Sequence, residues 1–120
     1  MSASRDKGTA WETAIVNYLR EQGAPHAERR ALTGNKDRGD ITGIPGLVVE
    51  AKICKQTEWG GWVNEATKEA TNVGPGTIGL VWAHRPRKAH PADGYIVMTG
   101  ATLVELLTAA GYLDGGADAT

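Results

Sequence analysis

The segment 46–83 constrains this chain more than any other. It opens with Gly46 and the run Leu47-Val48-Val49-Glu50-Ala51-Lys52, which is rich in β-branched residues and reads as a strand. A helical stripe follows. Trp59, Trp62, Val63, Ala66, Ala70 and Val73 fall at i, i+3, i+4, i+7, i+11 and i+14, which predicts a helix over 58–73. Gly74-Pro75-Gly76 ends it, and residues 78–83 form a second strand of the buried type. A helix between two strands allows a parallel crossover, so the sheet is expected to be mixed.

The flanks complete the pattern. Thr9 and Glu12 have the Thr-x-x-Glu spacing of a capping box, so the first helix is expected to begin at Thr9. Its apolar face is Trp11, Ile15, Tyr18 and Leu19, and Gly23 and Pro25 stop it. Residues 26–32 read as a strand, 33–36 as a loop and 40–42 as a short strand that forms a hairpin with 47–52. Residues 84–93 are a basic, proline-containing loop, and 95–98 another strand. Thr102-x-x-Glu105 is placed to cap a last helix over 102–110, with Gly111 as its stop. The order is α-βββ-α-β-β-α, an α/β fold with a mixed central sheet and helices on both faces.

The chain of 120 residues suits one domain, 1–120, whose ends at 1–8 and 114–120 are expected to be flexible. A net charge of −1 argues against a broadly basic coat but not against a local basic face. The single cysteine, Cys54, excludes an intramolecular disulfide and a multi-cysteine zinc site, and a reducing, cytoplasmic setting is expected. There is no apolar run of membrane-spanning length. His26, His84 and His90 lack paired zinc-ligand spacing, and no Gly-rich phosphate loop is present.

The chemistry-bearing residues are Asp40, Glu50 and Lys52. Glu50 and Lys52 are two apart on a strand and leave the same face. The hairpin would set the Asp40 carboxylate beside that of Glu50. Adjacent carboxylates repel unless a cation lies between them, and their hard oxygens suit Mg²⁺ or Mn²⁺ better than zinc. Such a cation would lower the pKa of a bound water and neutralise charge on a phosphate, with Lys52 orienting the water or stabilising the phosphorus centre. The plainer reading of Glu-x-Lys on a strand is a solvated cross-strand ion pair.

Gly39-Asp40, nine intervening residues and Glu50-Ala51-Lys52 resemble the motif of the PD-(D/E)xK, or restriction-endonuclease-like, nuclease superfamily. Its αβββαβ core resembles the order read here over residues 5–83, with Gly39 in place of the proline. Within it the chain looks most like the Holliday-junction resolvases of phages and archaea. Those carry a glutamate on the first helix, matched by Glu12, and an Arg and a small-residue loop before the aspartate, matched by Arg30 and Thr33-Gly34. The resemblance implies that Asp40, Glu50 and the Ala51 carbonyl bind the metal, that Lys52 is the catalytic lysine, and that Glu12 touches the metal. Glu12 is equally explained as the capping residue. The implied protein is a Mg²⁺-dependent, structure-selective DNA endonuclease acting on four-way junctions as a C₂ homodimer. The alternatives are the same chemistry on flaps, single strands or mismatches, a non-catalytic nucleic-acid-binding module, or a plain interaction domain.

Basic side chains at Arg5, Lys7, Arg29, Arg30, Lys36, Arg38, Arg85, Arg87 and Lys88 are candidate phosphate contacts, and Lys68 is a candidate contribution from the second helix. DNA binding would then fall steeply with salt. Trp59 and Trp62 would stack on an exposed base or, more simply, anchor the core or a dimer seam. Cys54 is expected to be a small packed side chain.

Overall fold

The computed structural model describes residues 3–30, 40–53 and 58–115, with side chains from residue 7 onward. The elements are α1 (Ala3–Glu21), β1 (Glu28–Arg29), β2 (Ile41–Thr42), β3 (Leu47–Lys52), α2 (Trp59–Val73), β4 (Ile78–Ala83), a short 3₁₀ turn (Pro91–Asp93), β5 (Tyr95–Val97) and α3 (Gly100–Ala109). The five strands form one sheet in the order β1-β2-β3-β4-β5. The pairs are antiparallel except β3 with β4, which run parallel across the α2 crossover. The result is an α/β fold with a mixed sheet flanked by helices.

Two helices begin well away from where the sequence predicts. α1 starts at Ala3, so Thr9 and Glu12 lie inside the helix and form no capping box. α3 is capped by Thr99, whose hydroxyl accepts from the Thr102 N–H at 3.1 Å; Thr102 is already helical. β1 is shorter than expected, at two residues. The 33–36 loop, Gly39 and Cys54 lie outside the described residues.

Alternation along the central strands sorts the core into two layers. Val49 and its β4 partner Leu80 join Trp11, Ile15, Val16 and Ile41 under α1. Val81, which pairs with Glu50, and Ala83, which pairs with Lys52, join Trp62, Val63 and Ala66 under α2. The two long helices therefore cover opposite faces. α2 lies close to the sheet because Gly79 has no side chain: a Cβ there would overlap the Ala66 carbonyl oxygen and meet the Ala70 Cβ at 3.1 Å. Gly43, with φ +96°, turns β2 toward β3 where a Cβ would overlap the His26 carbonyl. α3 is different in kind: none of its residues is buried, and Leu103 and Val104 are exposed. Among the described residues no helix is long and apolar enough to cross a membrane.

Candidate metal centre

The site forms at the C-terminal half of β3, on the face that α2 covers. Ile41 pairs with Val49, so one step along the antiparallel ladder sets Asp40 against Glu50. The Asp40 N–H donates to the Val49 carbonyl at 3.1 Å. Its Oδ2 accepts from the Ala51 N–H at 2.9 Å, so the side chain takes the place of a main-chain acceptor at the end of the ladder. The hairpin thus brings Asp40 and Glu50 together, as the sequence predicts, and Lys52 follows on the same face.

Two further carboxylates come from α2. Glu65 and Glu69 are one helical turn apart and present neighbouring side chains to β3. The Lys52 ammonium pairs with Glu65 Oε1 at 2.8 Å. Glu69 is 2% exposed and Glu50 is 3% exposed. One carboxylate oxygen each from Glu50, Glu65 and Glu69 lie within 4.8 Å of one another.

The electrostatics follow from this crowding. Burial pushes the Glu50 carboxyl up to about 12, and the neighbouring Glu69 and Asp40 side chains add to the effect because like charges so close disfavour its ionised form. Glu50 Oε2 is buried with no hydrogen-bond partner among the described residues. Burial works against the charge on Lys52, but the hydrogen bond and charge of Glu65, with the charges of Glu50 and Asp40, outweigh it and hold the ammonium above its ordinary value. A buried, unpartnered carboxylate oxygen between further carboxylates is the environment that a hard divalent cation satisfies.

The other expected residues are more dispersed. Glu12 forms an ion pair with Arg29 at 3.0 Å and is not one of the groups that perturb Glu50. The Arg30 N–H donates to the Asp40 carbonyl at 2.9 Å, which ties β1 to the residue that opens the site. Lys68 is exposed on α2. Lys7, Arg85, Arg87 and Lys88 are exposed, and the Arg85 guanidinium lies 5.6 Å from the centroid of the Tyr95 ring. The Arg5 side chain, Lys36 and Arg38 lie outside the described residues. Trp62 is part of the core, whereas Trp59 is 40% exposed and packs edge-on against it at 5.3 Å.

The sequence reading sets Glu65, Lys68 and Glu69 together on the polar side of the second helix; the structure corrects this for Glu69, which is buried, and the signal was present. At about 100° per residue, Glu69 falls about 20° from Trp62 on the helical wheel, inside the apolar stripe, whereas Lys68 falls about 120° away. A carboxylate inside a buried stripe requires a partner. A surface hollow of about 780 Å³, bounded by Ile78, Val104, Thr108 and Leu113, lies on the α3 side and shares no residue with the carboxylate cluster.

No family model matches this chain, and no curated protein or solved structure is found to be similar to it.

Proposed function

We propose that this protein is a divalent-metal-dependent nuclease of the PD-(D/E)xK type that hydrolyses phosphodiester bonds in DNA. One observation carries the reading: the buried Glu50 carboxylate, with an unpartnered oxygen, stands opposite Asp40 and two residues before Lys52 on one face of the sheet. Asp40, Glu50 and the Ala51 carbonyl would hold Mg²⁺, for which Mn²⁺ would substitute. When bound, the cation supplies an acidified water and neutralises charge on the phosphate.

The chain's own groups supply the rest. The Ala51 N–H fixes Asp40 Oδ2, so the Asp40 carboxylate is oriented before any ligand arrives. Lys52 offers a protonated donor to a phosphate oxygen beside Glu50. Glu12 is omitted from the metal ligands in this reading, because Arg29 already engages its Oε1. Lys7, Arg85, Arg87 and Lys88 are available as phosphate contacts, and Trp59 as a stacking platform. A four-way junction is the substrate proposed, cut by a homodimer whose two sites nick symmetric strands.

The test uses purified protein with Mg²⁺ or Mn²⁺ on matched four-way, flap, single-stranded and linear duplex DNA. Paired, symmetric nicks across the junction are expected. Asp40→Asn and Glu50→Gln should each lower cleavage by about a thousandfold, or roughly 4 kcal/mol of transition-state stabilisation, while DNA binding persists. A wild-type protein that binds DNA but cuts none of these substrates with either metal would be a binding module, and the enzyme reading would fail. Efficient cutting of flaps but not junctions would keep the chemistry and change the substrate.

A further inference from the structure

We propose a second divalent-cation position between β3 and α2, built from Glu50, Glu65 and Glu69, at which the cation competes with the Lys52 ammonium for Glu65. It deepens the nuclease reading by adding a control on Lys52, but the cation site itself stands on geometry that does not depend on DNA cleavage.

Three observations converge on it. The three carboxylates come from two elements packed face to face, and one oxygen from each lies within 4.8 Å of the others. Two of the three side chains are almost wholly buried, at 3% and 2% exposure, so water cannot screen them as it screens a surface cluster. Glu50, one of the three, carries a buried oxygen, Oε2, with no hydrogen-bond partner among the described residues. Carboxylates so placed cannot all ionise unless positive charge joins them. The Lys52 ammonium reaches Glu65 Oε1 at the more open rim, 2.8 Å away, where the Glu65 side chain is 43% exposed.

The spacing indicates which ions fit. Oxygens sharing an octahedral Mg²⁺ lie about 3–4 Å apart, and those around Ca²⁺ up to about 5 Å. Separations within 4.8 Å therefore suit Ca²⁺ as they stand, and at that limit would close by about 1–2 Å onto Mn²⁺ or Mg²⁺. Closing draws Glu65 inward, away from Lys52. A monovalent ammonium on a flexible stem is a weak competitor for an oxygen that can instead join two further carboxylates on a divalent ion. Lys52 is then released on the same face as Asp40 and Glu50, where a phosphate would lie. In the metal-free chain the lysine is held by Glu65, so loading this position would couple metal binding to the availability of the donor.

The experiment titrates the full chain, without DNA, with Mn²⁺ by calorimetry and electron paramagnetic resonance, with circular dichroism confirming that each variant is folded. Glu65→Gln, at the half-exposed rim, and Glu69→Gln should each weaken Mn²⁺ binding by about tenfold or more. Lys52→Met should tighten it several-fold, and most of that gain should vanish in the Glu65→Gln background. If both glutamine variants bind within about twofold of the wild type, or if the Lys52→Met gain survives intact without Glu65, the site is wrong. Failure here is separable from failure of the nuclease reading. Mg²⁺-dependent cleavage with unaltered metal binding in Glu65→Gln overturns this position alone. Loss of Mn²⁺ affinity in both glutamine variants of a protein that cuts no DNA overturns the nuclease reading alone.

Discussion

On the face of the sheet beneath α1, Val49 belongs to a hydrophobic cluster with Trp11, Ile15, Ile41 and Leu80. On the face beneath α2, one residue further along the same strand, Glu50 is as deeply buried as Val49 but lies among Glu69, Glu65 and Asp40. Backbone, strand length and degree of burial are shared; only the side chains and the covering helix differ. The α1 face contributes stability through area removed from water. The α2 face gives some of that up, because buried carboxylates are unfavourable without positive charge. A fold that buries charge on one side of a strand depends on the other side to hold it together.

That contrast can be broken most severely at Val49. Val49→Asp would place a carboxylate under α1 with no polar partners among its neighbours, and should cost about 4–5 kcal/mol, enough to abolish a cooperative thermal transition. If the variant melts like the wild type, the two faces are not chemically distinct. Gly79→Ala acts on the other side. The added methyl meets the Ala66 carbonyl and must push α2 outward, costing about 1–3 kcal/mol by denaturant titration. It should also weaken Mn²⁺ binding, because Glu65 and Glu69 move with the helix. Lost stability with unchanged Mn²⁺ affinity would mean that α2 does not carry the site.

A pH dependence is also expected. Glu50 has its folded-state pKa raised from 4.5 to about 12, by burial first and then by Glu69 and Asp40. The folded chain therefore binds that proton more tightly than the unfolded chain does. Its contribution to stability is full below about pH 4.5 and is lost progressively as the pH rises toward 12. Metal-free protein should thus melt several degrees higher near pH 5 than near pH 8. Glu50→Gln should flatten that slope, and Mn²⁺ should offset it most at the higher pH. An identical slope in wild type and variant would remove Glu50 as its source.

Much of this was legible in the sequence, for identifiable reasons. β3 and β4 have the boundaries predicted from their β-branched runs, and α2 agrees to within one residue at its start, because period and punctuation are local signals. The Asp40–Glu50 pairing was legible because a short hairpin fixes its own register. Helix starts were less so. Thr9 and Thr102 both have capping-box spacing, yet the cap of α3 is Thr99, whose backbone is extended at φ −75° and ψ 161°. Spacing alone does not report which residue adopts that conformation. Glu69 was readable on the helical wheel, but the Lys52–Glu65 contact was not, since it joins residues on separate elements.

By itself, then, the sequence determined that Glu50 and Lys52 share a face and that Asp40 lies beside Glu50, because strand alternation and hairpin register are properties of contiguous chain. It also determined that Trp62, Val63, Ala66 and Ala70 form a buried stripe. Only the tertiary structure decided that α2, and not α1, covers the charged face, and that Gly79 lets it approach closely enough to bury Glu69 against Glu50. Burial belongs to both partners of a contact, so neither strand nor helix encodes it alone. The opposition of carboxylates that makes this a candidate metal centre arises at that packing step.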